Sequence, residues 1–373
     1  MRREFGQQVF CLRVLKMTKV IIHVGSHKTG TTLLQSVLAD NRAALKERGV
    51  YYPETYRFIG KKRSTAISTN AHFEVPKSLG IYGAQDREEL AGFRQHLLEI
   101  RQEYSKIILS AETFYRMLPN KTNLSTAERS AATNIRGLRS IIFARLAELL
   151  DGFDAEILVY FRRPDSFAES MYTEGIVNGK STRSFEEFQN FQKFRFDYGA
   201  QIATFKQFFP VRHFVYENRA KGGLIGNMFS DLGIGAVFQQ DAVMERRSVP
   251  KPATLWLRRF KKLPKFTKRA FNQRKLFAYL PEHRRFFGDD TTYGFWRTPK
   301  ERDAFTAEAL RYAPELDFPA APSTVPEVCE WSQDDHAKAE AAFRDWRERE
   351  QDWIKQRRKN RIKPFMIDRD PGE

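Results

Sequence analysis

The chain has 373 residues, 41% of them apolar, and a formal net charge of +17. That length suits one large α/β domain with extensions, or two domains, and no stretch approaches the roughly 20 apolar residues that cross a bilayer. Cys11 and Cys329 stand far apart without metal-ligand spacing, which argues against a disulfide framework and for a reduced, cytoplasmic setting.

Excess positive charge points to an anionic partner: nucleic acid, a membrane surface, an acidic glycan or an anionic cofactor. Residues 1–18 read as a disordered N-terminal arm. It is basic, and Arg13 and Lys16 break the apolar run that a signal peptide would need.

An α/β core is expected over residues 19–245. Lys19 to Gln35, KVIIHVGSHKTGTTLLQ, reads as strand, glycine turn and helix start. Val20, Ile21, Ile22 and Val24 suit a buried strand. From Thr31 the apolar residues Leu33, Leu34, Val37 and Leu38 recur at helical spacing, and Gly49 is placed to cap the helix. Such a turn aims backbone N–H groups and a helix N-terminus at one spot, which favours phosphate. Gly25-x4-Gly30 has P-loop spacing, but Thr31 stands where a P-loop NTPase needs lysine. The loop's one lysine is Lys28, inside the turn.

Further along, Val50–Tyr52, Ile107–Leu109, Ile157–Phe161 and Val211–Tyr216 read as short strands. Asp86–Tyr104, Leu138–Leu150, Asp165–Val177, Tyr198–Phe209 and Leu224–Leu232 read as helices. Residues 54–85 and 119–136 read as loops. Uninterrupted apolar strands alternating with helices predict a parallel sheet covered on both faces. Ligands bind such sheets at the carboxyl ends of the strands, where Lys28, Glu112 and Arg162 fall.

From residue 246 a basic, mostly helical region is expected. Between Arg246 and Lys300 there are 16 Lys/Arg and 3 acids, so 13 of the 17 net charges lie there, interleaved with Trp256, Phe260, Phe266, Phe271 and Phe277. A solvated helical face, a surface for an anionic acceptor or membrane, and a nucleic-acid surface are the readings this composition allows. No nucleic-acid module accompanies it, so nucleic acid is the least favoured.

The word HVGSHKTGTTLLQ resembles the 5′-phosphosulfate-binding loop of the sulfotransferase family. A second motif agrees. Arg162-Arg163-Pro164, with Ser170 eight residues after Arg162, resembles that family's 3′-phosphate motif. The resemblance covers roughly residues 19–235. It implies a P-loop-kinase-like three-layer α/β/α core that binds 3′-phosphoadenosine 5′-phosphosulfate and transfers its sulfuryl group to a hydroxyl. It places the nucleotide on Ser26, His27, Lys28, Thr29, Gly30, Thr31 and Thr32 at the 5′ end, and on Arg162 and Ser170 at the 3′ end. Lys28 would assist departure of 3′-phosphoadenosine 5′-phosphate. No metal is expected, because a sulfuryl group carries less charge than a phosphoryl group.

Ser110-Ala111-Glu112 resembles a Ser-x-Glu that bacterial, carbohydrate-type members carry after a strand. Glu112 could then be the general base, or could pair with a nearby cation and shape the pocket. His72 and His27 are rival bases, and His23 reads as a core histidine. Glu245-Arg246-Arg247-Ser248 lacks the asparagine of the family's later cofactor segment, so Arg247 and Ser248 receive no firm role. A glycan or glycolipid acceptor is expected, with peripheral membrane contact through 246–300. The competing readings are a nucleotide-dependent kinase and a non-catalytic binder of anions or nucleic acid. The missing lysine after Gly30 and the lack of an acid pair for Mg²⁺ speak against the kinase.

Overall fold

The computed structural model describes residues 17–26, 28–54, 70–81, 83–115, 118–235, 249–264, 266–280, 283–287, 293–328 and 332–359. His27, residues 1–16, the Glu245–Ser248 segment and the last 14 residues lie outside that description.

The core elements are β1 (Lys19–Gly25), α1 (Thr31–Asp40), α2 (Arg42–Glu47), β2 (Val50–Tyr51), α3 (Glu74–Ser78), α4 (Arg87–Ile100), β3 (Lys106–Ser110), α5 (Thr126–Ala131), α6 (Ile135–Leu149), β4 (Asp154–Phe161) and α7 (Pro164–Val177). There follow α8 (Phe185–Phe191), α9 (Lys193–Phe196), α10 (Tyr198–Lys206), β5 (Val211–Val215), α11 (Tyr216–Ala220) and α12 (Leu224–Leu232). The single helix expected from Thr31 breaks at Asn41, whose side-chain amide donates to Val37 O at 2.8 Å. The expected loop at 119–136 contains α5, because Ser125 and Glu128 form a capping box around its first turn.

All five strands are parallel, in the order β2-β3-β1-β4-β5. Register explains why both faces are covered. Val20 and Ile22 align with Ile107 and Leu109, and Ile22 and Val24 with Ile157 and Val159. This set faces one way, toward Phe93, Phe143, Met171 and Phe205 from α4, α6, α7 and α10. Ile21, Ile108, Leu158 and Tyr160 face the other way and pack on Leu34 and Leu38 of α1 and Ile225 and Phe229 of α12. The molecule is therefore the expected three-layer α/β/α sandwich around a central parallel sheet.

The basic region contributes α13 (Lys251–Lys261), α14 (Lys268–Tyr279), α15 (Arg284–Phe287), α16 (Pro299–Leu310), α17 (Gln333–Arg349) and α18 (Gln351–Lys359). Between them lies a two-residue pairing of β6 (Tyr293–Gly294) with β7 (Glu327–Val328), which the sequence did not signal. Trp256, Phe260, Phe271, Phe277, Phe343 and Trp346 join one continuous core with α7 and the sheet. The interleaved aromatics are thus mostly interior. Arg274 stacks 3.7 Å over the Phe260 ring and pairs with Glu340, and Lys251 pairs with Glu169 of α7 at 3.0 Å. Gly199 on α10 sits so close to the chain after α16 that a Cβ would fall 2.4 Å from Tyr312 O.

Candidate functional site

The carboxyl ends of the adjacent strands β3, β1 and β4 carry the candidate residues. After Gly25 the chain turns sharply into α1. Lys28 adopts the left-handed conformation at φ 60°, and Gly30, the residue before α1, at φ 72°. A Cβ on Gly30 would lie 2.5 Å from Leu224 Cδ2, and one on Gly25 2.2 Å from Thr31 Oγ1, so both positions need glycine. No side chain caps α1 and no acid lies in its first turn. The helix thus offers its first N–H groups and the positive end of its dipole. Thr29, Thr31 and Ser26 are buried, with the Thr29 and Thr31 hydroxyls 3.4 Å apart, while Thr32 is half-buried.

Arg162 directly follows β4 and reaches this turn. Its Nη1 donates to Lys28 O at 3.2 Å and its Nε to Ser166 Oγ at 3.0 Å. Its own carbonyl accepts from the Tyr198 hydroxyl at 2.6 Å. The neighbouring Arg163 is committed elsewhere: its Nε donates to Asp165 Oδ1 at 2.7 Å, in the first turn of α7. One face of α7 buries Phe167, Ala168, Met171 and Tyr172. Ser166, Ser170 and Glu174, one turn apart from each other, line a half-buried face. Glu174 Oε2 stands 3.6 Å from Lys28 Nζ.

Arg162 and Lys28 are therefore brought together at one end of the sheet. The serine on Arg162 is Ser166, however, with Ser170 a turn farther along. Ser166 and Glu174 were missed in the sequence. Their signal was the four-residue spacing through Ser170.

The histidine at position 72 does not have a base's surroundings. It is buried against β3. Its Nδ1 accepts from Ser110 N–H at 2.9 Å, which leaves the proton on Nε2 to donate to Pro53 O at 3.0 Å. Both ring nitrogens are used, and burial lowers the ring to a pKa of about 4. His72 is corrected to a structural residue that ties residues 53 and 72 to the end of β3. His23, also lowered to about 4 by burial, contacts Ser110 Oγ through Nδ1 at 2.8 Å, and Gln35 Nε2 donates to the same hydroxyl at 3.1 Å. It is a core histidine, as expected. Glu112 opens a 3₁₀ turn (Glu112–Phe114) and is half-buried. Ala111 N–H donates to His23 O at 3.3 Å, which places Glu112 beside the end of β1 where the loop begins.

The residues at this turn fit an anionic group. The uncapped helix end, the glycines with no room for Cβ, and the buried Ser26 Oγ, which has no hydrogen-bond partner among the described residues, form a cradle for an oxyanion. Arg162 retains guanidinium N–H groups beyond the two it uses here.

No protein-family model matches the chain, and no curated protein matches it in sequence. Among solved structures, the crystal structure of a sulfotransferase from Alicyclobacillus acidocaldarius is similar at 17% identity. The match covers 61% of this chain and 85% of that one, with a TM-score of 0.34.

Proposed function

We propose that this protein is a sulfotransferase that uses 3′-phosphoadenosine 5′-phosphosulfate and sulfates a hydroxyl on a carbohydrate or glycolipid. The observation that carries this reading is the hydrogen bond from Arg162 to the Lys28 carbonyl, which joins two motifs 134 residues apart at one spot. Two anion-binding elements side by side suit a nucleotide phosphorylated at both 5′ and 3′ positions.

The N–H groups of Thr31 and Thr32 at the start of α1, with Ser26 and Thr29, would hold the 5′-phosphate. Arg162, braced by Ser166 and Tyr198, would hold the 3′-phosphate with Ser170. When bound, the donor supplies an activated sulfuryl group and a good leaving group. Lys28, exposed at the lip of the turn, would neutralise negative charge developing on the departing oxygen. Glu112 would accept the acceptor hydroxyl's proton on its carboxylate. His72 is left out of this scheme because its lone pair is occupied.

Calorimetry tests the reading. Micromolar binding of 3′-phosphoadenosine 5′-phosphate without Mg²⁺, together with transfer of radiolabelled sulfate into glycan or glycolipid fractions, supports it. Preference for Mg-ATP would replace it with a kinase, and binding of neither nucleotide would end it.

A further inference from the structure

We propose that the tip of the α13–α14 hairpin is a docking surface for an anionic lipid bilayer. From Arg258 to Arg269 the chain carries seven basic residues and no acid. Lys262, Lys268 and Arg269 are exposed, and no salt bridge engages them among the described residues. Between them Leu263 is 47% exposed and Phe266 36%. Glu187, whose charge reaches Arg258 and Lys262, is committed to its own helix, accepting from Ser184 N–H at 2.6 Å.

The neighbouring surface has the same character. Arg258 and Lys261 fix the hairpin to the turn after α7 through Thr182 O and Gly179 O. Close to it, Arg183 stacks 3.8 Å over Phe191, which is 57% exposed.

Exposed apolar side chains inside a field that is basic on balance fit an interface that is both anionic and oily. A soluble polyanion would offer nothing to Leu263. Nucleic acid would call for a row of aromatic faces on which bases stack, yet Trp256, Phe260, Phe271 and Phe277 are buried, Arg183 covers Phe191, and Phe266 packs on Phe260 and Phe271. No helix among the described residues is long and apolar enough to cross a membrane, so the contact would lie on the surface. The hairpin also abuts the candidate site. Lys275 Nζ donates to Asn178 Oδ1 at 3.2 Å, and Asn178 Nδ2 donates to Glu174 Oε1, the carboxylate that pairs with Lys28. Docking would thus bring lipid headgroups toward the end of α7 that flanks Lys28. The inference stands independently of the reaction proposed above.

The test is co-sedimentation of the full chain with neutral phosphatidylcholine vesicles and with vesicles containing about 30% phosphatidylglycerol. Binding is expected on the anionic vesicles alone, weakening with salt. Each basic side chain near such a surface is worth about fivefold in partitioning, so the combined Lys262→Ala, Lys268→Ala and Arg269→Ala variant should lose about 100-fold. Leu263→Ser with Phe266→Ser should lose at least about tenfold, as buried apolar area is removed, with the circular dichroism spectrum unchanged. Failure of the natural chain to bind anionic vesicles would overturn the proposal. So would unchanged vesicle binding by the Leu263/Phe266 variant, or tight salt-sensitive binding to duplex DNA in place of vesicles.

Discussion

Acidification below pH 6.5 should destabilise this protein through His23 and His72. Both rings are buried and neutral, with pKa values held near 4 against 6.5 in the unfolded chain. The unfolded state therefore binds protons that the folded state refuses. Their contribution is complete above pH 6.5 and is lost as pH falls toward 4. One pKa unit is worth about 1.4 kcal/mol, so each ring contributes roughly 3 kcal/mol across that window. Burial lowers His96, His213 and His336 as well, which adds to the same trend.

Urea unfolding at pH 7.5 and 5.0 reads this directly. His72→Asn keeps an acceptor for Ser110 N–H but does not titrate. It should be less stable at pH 7.5, yet the loss between the two pH values should shrink by about 2 kcal/mol. Turnover at pH 7.5 should survive in the folded variant. An unchanged pH slope, coupled with a fall in turnover of more than about 100-fold, would show instead that His72 is a solvent-facing base.

Lys28→Ala should lower turnover by about 10²–10³ without moving the melting curve; single-turnover kinetics checks this. Arg162→Ala should weaken binding of 3′-phosphoadenosine 5′-phosphate by about ten- to a hundredfold, the scale of a charge-assisted contact, measured by calorimetry. Glu174→Gln frees Lys28 from a partly exposed ion pair, so it should tighten the same ligand about two- to fivefold at low salt. That gain should vanish in a Lys28→Ala background. Gly199→Ala should cost about 1–3 kcal/mol in urea unfolding, because the new methyl meets Tyr312.

The inner strands were legible because β1, β3 and the second half of β4 are short, mostly apolar, buried runs, whereas the edge strand β5 carries Arg212 and His213 and is only partly buried. The β1–α1 turn was legible because Gly25 and Gly30 have no room for a side chain. The role of His72 was not legible, since nothing local tells that residues 53 and 110 close around its ring. Nor was the contact of Arg162 with Ser166, which depends on where the guanidinium of Arg162 comes to rest. The basic region left several readings open for a physical reason. Its aromatics recur near helical spacing and its cations carry long apolar stems, so one pattern serves equally for a stacking platform and for helices packed on α7. Lys251, Lys261 and Arg274 turned out to fasten those helices to their neighbours.

The bond from Arg162 to the Lys28 carbonyl also makes a statement about how binding energy could be spent. Lys28 holds a left-handed backbone that lysine ordinarily avoids, and Arg162 helps to hold it there. A donor whose 3′-phosphate engages Arg162 would stiffen the backbone of the residue beside the reacting centre, although that phosphate takes no part in the bond exchange. Remote contacts of this kind appear in the rate rather than in affinity alone. A donor stripped of its 3′-phosphate should therefore lose kcat as well as raise KM, a signature that two independent anion pockets would not produce.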